Sequence, residues 1–210
     1  MNFKIIILTF AMLGVSLPAF AQRERIDGEW NSPKCINAVW KWTIPTEKEK
    51  EFDLKNDLDI DDTRYSCDSE ISPSEINRAL TIIKQAIKGK NKEKLADIVV
   101  YPFSYWIKTK EKTEYGFKAD VQANNKIDFI KHYDEIITKD VERVIECSAL
   151  NNMRSLGGGA VALASDFIFL TKAPNNNKEH VRYFRKYPLR FKSMRSYTGR
   201  HVDWFEENCK

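Results

Sequence analysis

The chain has 210 residues, 42% hydrophobic and 30% charged, with 8 Gly, 7 Pro and 4 Cys. Sparse, aperiodic Gly and Pro exclude a collagenous or low-complexity chain, and 12% aromatic content excludes wholesale disorder. One long apolar run, at the N-terminus, excludes a polytopic membrane protein and leaves a single globular domain with an appended segment.

Residues 1–21 read as a secretory signal peptide. Lys4 supplies the positive start, Ile5 to Val15 the apolar core, Leu17-Pro18 the helix break and Ala19-Phe20-Ala21 the small residues at the cut. The run is shorter than the roughly 20 residues a membrane span requires, so no transmembrane segment is expected after cleavage. Cleavage leaves Gln22 first and places the protein in the periplasm or outside the cell. Cys35, Cys67, Cys147 and Cys209 then meet oxidising conditions, and an even count predicts two disulfides. Three pairings are open. Cys35–Cys67 with Cys147–Cys209 is favoured, because the first closes a loop-rich segment on itself and the second ties down the C-terminal tail.

Residues 22–71 form an extension distinct from the rest. Trp30, Trp40 and Trp42 are bunched there, and from Glu47 to Glu70 ten acids face four bases, a net of −6. Apolar periodicity is poor, so the segment reads as irregular or short-stranded. Its tryptophans either seal it against the core or form a binding surface. Asp57-x-Asp59-x-Asp61, with Asp68 at the twelfth position, has the start of a calcium loop. The sixth position is Asp62 rather than Gly and no amphipathic helices flank the run, which favours a solvated acidic loop.

Residues 72–210 carry the main domain. Ser72-Pro73-Ser74-Glu75 is a capping box with Pro at the first helical position, followed by Ile76, Leu80, Ile83 and Ile87 at helical spacing and a left-handed stop at Gly89. Asn91 caps a second helix carrying Leu95, Ala96, Ile98 and Val99 and ended by Tyr101-Pro102. A strand is expected over Phe103 to Lys110, continuing at Tyr115-Gly116-Phe117 after a charged turn. Helices follow from Asn124 or Asn125 and from Thr138 or Asp140. Gly157-Gly158-Gly159 leads into an apolar run, Ala160 to Lys172. A polar loop and two more strands, Val181 to Tyr187 and Leu189 to Arg195, complete the chain. The expected class is α+β: helices packed on a curved, cone-shaped antiparallel sheet, with an irregular disulfide-stapled N-terminal extension.

Three features from about Ser72 to Arg195 resemble the exported branch of the nuclear-transport-factor-two-like (cystatin-like cone) superfamily. They are the helix ending Leu95-Ala96-Asp97-Ile98-Val99-Val100-Tyr101-Pro102, the segment Phe129 to Thr138, and the glycine turn before a long apolar strand. The resemblance implies a cone whose mouth holds a ligand. It implies no catalytic residue, because no catalytic motif matches, and the aromatic usual after the glycine turn is replaced by Ala160-Val161.

His132-Tyr133-Asp134 is the one triplet joining a titratable base, a phenol and a carboxylate. Adjacent helical residues diverge by about 100°, so Tyr133 is the candidate to face a pocket and Asp134 the next; the alternative is that Tyr133 packs and His132 is exposed. Residues 178–200 hold eight Lys/Arg against one acid, with Arg185, Arg190 and Lys192 among them and aromatics interleaved. Alternation puts the bases on the outer face of a half-buried strand pair. Export makes nucleic acid an unsuitable partner, whereas an acidic protein or an anionic envelope polymer suits that face. No metal site and no cofactor are indicated: there is no C-x-x-C, and His132, His180 and His201 do not stand at zinc-ligand spacing from any Cys pair.

Two expectations follow. The first is a non-enzymatic exported binding protein engaging an envelope protein or ligand through the cone mouth, Trp40 and Trp42, or the basic face, of inhibitor or immunity type. The second is a small periplasmic enzyme using Tyr133 and Asp134 in general acid–base chemistry.

Overall fold

The computed structural model describes residues 31–113, 116–163, 168–172, 189–194 and 209. The signal peptide, Trp30, Arg185, the strand expected over 181–187, His180 and His201 lie outside the described residues.

The main domain opens where its capping box stands. Helix α4 (Pro73–Lys88) follows α1 (Cys35–Thr43), α2 (Glu47–Asn56) and α3 (Tyr65–Asp68). Ser72 Oγ accepts from Glu75 N and the Glu75 carboxylate accepts from Ser72 N, satisfying two helix-end donors. The inner face carries Ile76, Leu80, Ile83 and Ile87, all buried. Its stop differs from the expected one. Gly89 keeps a right-handed backbone, φ −81°, and the left-handed residue is Lys90, φ 49°. A Cβ on Gly89 would stand 3.2 Å from Gln85 O, so the glycine serves close approach rather than left-handedness.

Helix α5 (Lys92–Asp97) is capped by Asn91, whose side chain accepts from Lys94 N at 2.9 Å. It ends at Asp97, and Val99 and Tyr101-Pro102, expected at its end, begin the long strand β1 (Val99–Thr113) instead. Pro102 has no N–H to donate, and strand β1 tolerates it because its pairing is interrupted there. The ladder to β2 (Gly116–Ala123) starts at Phe103↔Ala123, and the ladder to β6 (Leu189–Met194) shifts register between Val99 and Ser104. The Tyr101–Pro102 peptide is cis.

Three short helices cross back: α6 (Lys126–Lys131), α7 (Tyr133–Ile136) and α8 (Lys139–Cys147). Asn125 and Thr138 cap the first and third. A 3₁₀ turn (Leu150–Asn152) leads into β3 (Met153–Ser155), and Gly157, Gly158 and Gly159 turn the chain with φ of 71°, 58° and 82° into β4 (Ala160–Leu163). The apolar run expected as one strand is two, β4 and β5 (Ile168–Lys172), paired antiparallel with Leu163 opposite Ile168.

The sheet order is β2-β1-β6-β5-β4-β3. The ladders are antiparallel except β1 with β6, which run parallel, so the sheet is mixed rather than purely antiparallel. Helices cover one face, and the interface is the core: Phe103 packs on Phe191 with ring centroids 4.9 Å apart and on Phe129 edge-on at 5.3 Å. Each such fully buried ring contributes roughly 2–3 kcal/mol by leaving water. The class is α+β, as expected.

The extension is more regular than its composition suggests. It contains α1, α2 and α3, and a Cys35–Cys67 disulfide spans α1 and α3. A second disulfide joins Cys147, at the end of α8, to Cys209. This is the favoured pairing. The extension is also part of the main core, since Tyr65 and Ile71 are fully buried in the same cluster as Ile76, Phe103 and Phe191.

Candidate functional site

The acidic extension is built inside out. Between Asp53 and Ile60 the aspartates point inward and the large aliphatics point out. Asp53, Asp57 and Asp59 are 0%, 2% and 6% exposed, while Leu54, Leu58 and Ile60 are 61%, 45% and 49% exposed. Burying a carboxylate is costly unless its oxygens find donors, and here each one does.

Asp53 joins three elements. Its Oδ1 accepts from Ser74 N at 2.7 Å and its Oδ2 from the Trp40 indole Nε1 at 2.8 Å. Ser74 stands in the first turn of the sixteen-residue helix α4, so the carboxylate also lies at the positive end of that helix. Asp57 accepts from Ser66 N at 3.0 Å and Ser66 Oγ at 2.6 Å, with Arg64 Nη1 at 3.5 Å. Burial pushes the Asp53 and Asp57 carboxyls above the usual aspartate range, and these hydrogen bonds pull partly back. Asp59 Oδ1 accepts from Asp61 N and Thr63 N, both at 2.9 Å, and its Oδ2 from Ser155 N of β3 at 2.7 Å.

More bonds seat the segment on β3. The single Tyr65 hydroxyl hydrogen is shared between Leu150 O at 2.8 Å and Met153 O at 3.1 Å, and Ile60 N donates to Met153 O at 3.1 Å. Ser155 Oγ donates to Asp68 at 2.7 Å, and Arg154 pairs with Asp61 at 2.5 Å. The run with calcium-loop spacing is therefore solvated only in part. The oxygens of Asp57 and Asp59 are occupied by backbone amides, the Ser66 hydroxyl and Arg64, while Asp61 and Asp62 are exposed, and among the described residues no group of three or more His, Cys, Asp or Glu stands as a metal cage.

The tryptophans divide by role. Trp40 is half-buried, donates to Asp53 and lies under the Lys50 ammonium, 5.9 Å from the ring centroid. It is a strut of the extension. Trp42 is half-buried on the same helix. Just beyond, Ile44 adopts a left-handed backbone, φ 47°, with its side chain 69% exposed. A β-branched residue rarely occupies that region.

Arg190 and Lys192 fall on the sheet face opposite the core, half-buried and exposed, alternating with buried Leu189 and Phe191. The alternation is the one expected from the sequence.

Tyr133 and Asp134 do not converge. Tyr133 is buried with its ring edge-on to Phe129 at 6.3 Å, and burial raises its pKa, so the phenol stays protonated. The Asp134 side chain is 85% exposed and pairs with Lys92 at 2.9 Å, which also sits 4.9 Å from the Tyr133 ring centroid. His132 lies 3.2 Å from Glu135. Among the described residues the buried Tyr133 and Tyr105 hydroxyls have no hydrogen-bond partner, and a run of ring contacts, Tyr105 to Phe103, Phe103 to Phe129 and Phe129 to Tyr133, links the two side chains.

The inward aspartates were missed by apolar periodicity, because that signal assigns acids to solvent. The detectable signal is the Asp-Leu repetition in Asp53-Leu54 and Asp57-Leu58-Asp59-Ile60. Comparisons of the chain with protein-family models, curated proteins and solved structures found no match.

Proposed function

We propose that this chain is an exported binding protein with no chemistry of its own, engaging another protein of the cell envelope as an inhibitor or immunity protein does. One observation carries the reading: an outward line of large aliphatic side chains, Leu54, Leu58 and Ile60, on a segment pinned from within by three buried carboxylates. Exposing such a line costs solvation free energy that the fold does not recover, and contiguous exposed apolar surface marks a place where another molecule sits.

Export is supported by the N-terminal sequence, by two disulfides and by the described residues containing no helix long and apolar enough to cross a membrane. Membership of the cone superfamily is supported by the succession of paired helices, a long hairpin, a helical crossing and a glycine turn before the last strands. The acid–base reading is disfavoured because Tyr133 points to the core and Asp134 to solvent.

The test is site-specific photocrosslinking in living cells. A photoreactive residue at position 54 is expected to trap a defined envelope protein, and one at exposed position 88, the far end of α4, is not. Recovery of no specific adduct from position 54, 58 or 60, or from the face of Arg190 and Lys192, overturns the proposal.

A further inference from the structure

Resting on that binding reading, we infer that Leu54, Leu58 and Ile60 are the docking line for a protein partner that presents an apolar surface rimmed by lysine or arginine. Geometry makes the three a single line. Leu54 and Leu58 are four apart, and Asp57 between them keeps helical angles, φ −75° and ψ −4°, so Leu58 projects one turn beyond Leu54 on the same side. Leu58 bridges to Arg64, Asp59 is buried, and Ile60, opening the turn closed by Asp62 N on Asp59 O, is exposed beside Leu58.

Charge selects the partner. At about 100° per residue, Glu47, Glu51, Leu54 and Leu58 fall within an arc of roughly 60°, so acids run directly into the apolar line. Asp61 and Asp62 are exposed at its other end. Glu47 shares its charge with Lys50 and Asp61 with Arg154; Glu51 and Asp62 add exposed carboxylates, one at each end. Lys48 and Lys55, also exposed, border the arc on one flank of α2, roughly 60° and 40° beyond Glu51. An anionic lipid surface or a polyanion would be repelled by both ends. A second copy meeting line to line would set acid against acid, whereas a basic rim around an apolar centre matches both features.

The line is also pre-organised. Asp53, Asp57 and Asp59 hold its backbone from beneath and the Cys35–Cys67 disulfide holds α1 to α3, so little ordering entropy remains to be lost on docking.

Three helical peptides of about 18 residues, long enough to hold a helix on docking, are the probes for the oxidised full chain in fluorescence anisotropy. One carries Leu at i, i+4, i+7 and Lys elsewhere; the second replaces Lys by Glu; the third replaces Leu by Ser. The Leu/Lys peptide is expected to bind at least about tenfold tighter than either control, and more weakly as salt rises. Leu54→Ser/Leu58→Ser/Ile60→Ser lowers that affinity at least about tenfold, while Glu51→Gln/Asp62→Asn flattens the salt dependence. Leu54→Ser alone, which leaves the other aliphatics and the charges in place, lowers it as well. Equal binding of the Leu/Glu peptide, or unchanged binding by the triple serine variant, overturns the inference. Concentration-dependent self-association abolished by the serine substitutions also overturns it, and assigns the line to a second copy. If wild type and the triple variant trap the same envelope protein equally well, the docking line is wrong and the binding function stands; if neither traps one, the function falls too.

Discussion

The indole Nε1 of Trp40 donates to Asp53 at 2.8 Å, and the same carboxylate receives Ser74 N at 2.7 Å, so one acid joins α1, α2 and the start of α4. An aspartate in the most acidic stretch of the chain is thus a fully buried structural joint. Asp53→Ala strands both donors, and unfolding in urea is expected to show a loss of about 2–4 kcal/mol. Asp53→Asn retains one acceptor but turns an NH₂ toward a donor, and costs about half as much. A loss under about 0.5 kcal/mol for Asp53→Ala contradicts the joint.

The pH dependence follows from burial. Asp53 and Asp57 have folded pKa values raised above the unfolded aspartate value of about 3.9. The folded state therefore binds protons more readily, and stability from these two groups is full below the unfolded value and lost as pH rises through the folded one. Relative to Asp57→Asn, which does not titrate there, wild type gains stability as pH falls from neutrality toward about 4. Stability curves at several pH values check this, and a difference that stays flat or shifts against wild type on acidification contradicts it.

Ile44 holds a left-handed backbone at φ 47° with an exposed side chain, while its N–H closes α1 by donating to Trp40 O at 3.0 Å. Asparagine tolerates that region and leaves the N–H in place. Ile44→Asn is expected to raise stability by about 0.5–1 kcal/mol, where an exposed Ile→Asn change would ordinarily be neutral. A measured loss assigns Ile44 a packing role.

The Cys35–Cys67 bridge closes a loop with a sequence separation of 32. Cys35→Ala/Cys67→Ala is expected to cost about 3–4 kcal/mol through restored freedom of the unfolded chain. A non-reducing peptide map of the wild type should recover Cys35 with Cys67 and Cys147 with Cys209, and any other pairing contradicts the account.

Much of the main domain was legible. Ser72-Pro73-Ser74-Glu75 and Asn91 announced helix starts, and the open pairs Asn124 or Asn125 and Thr138 or Asp140 each contained the observed cap, because a cap is a local contact that sequence spacing encodes. Arg190 and Lys192 were placed on the outer sheet face by alternation alone. Helix α2 was not legible through periodicity, since its inner face carries Asp53 instead of an aliphatic. Its capping box, Thr46 with Glu49, was the available sign. Strand β1 ran through Pro102 because a register break absorbs the missing N–H, a tertiary circumstance no local pattern encodes. The docking line was hidden for the same reason as α2: its polarity is decided by donors on Trp40, Ser66, Ser74 and Ser155, distant in sequence.

Leu54, Leu58 and Ile60 stand in solvent and leave the core to other side chains. Urea unfolding of the purified Leu54→Ser/Leu58→Ser/Ile60→Ser variant tests it directly. Three aliphatics serving the core would cost about 2–5 kcal/mol each on truncation, whereas exposed ones change stability by about 0.5 kcal/mol or less apiece. The variant is expected to stay within about 1.5 kcal/mol of wild type, and a loss beyond about 4 kcal/mol would place these side chains in the core.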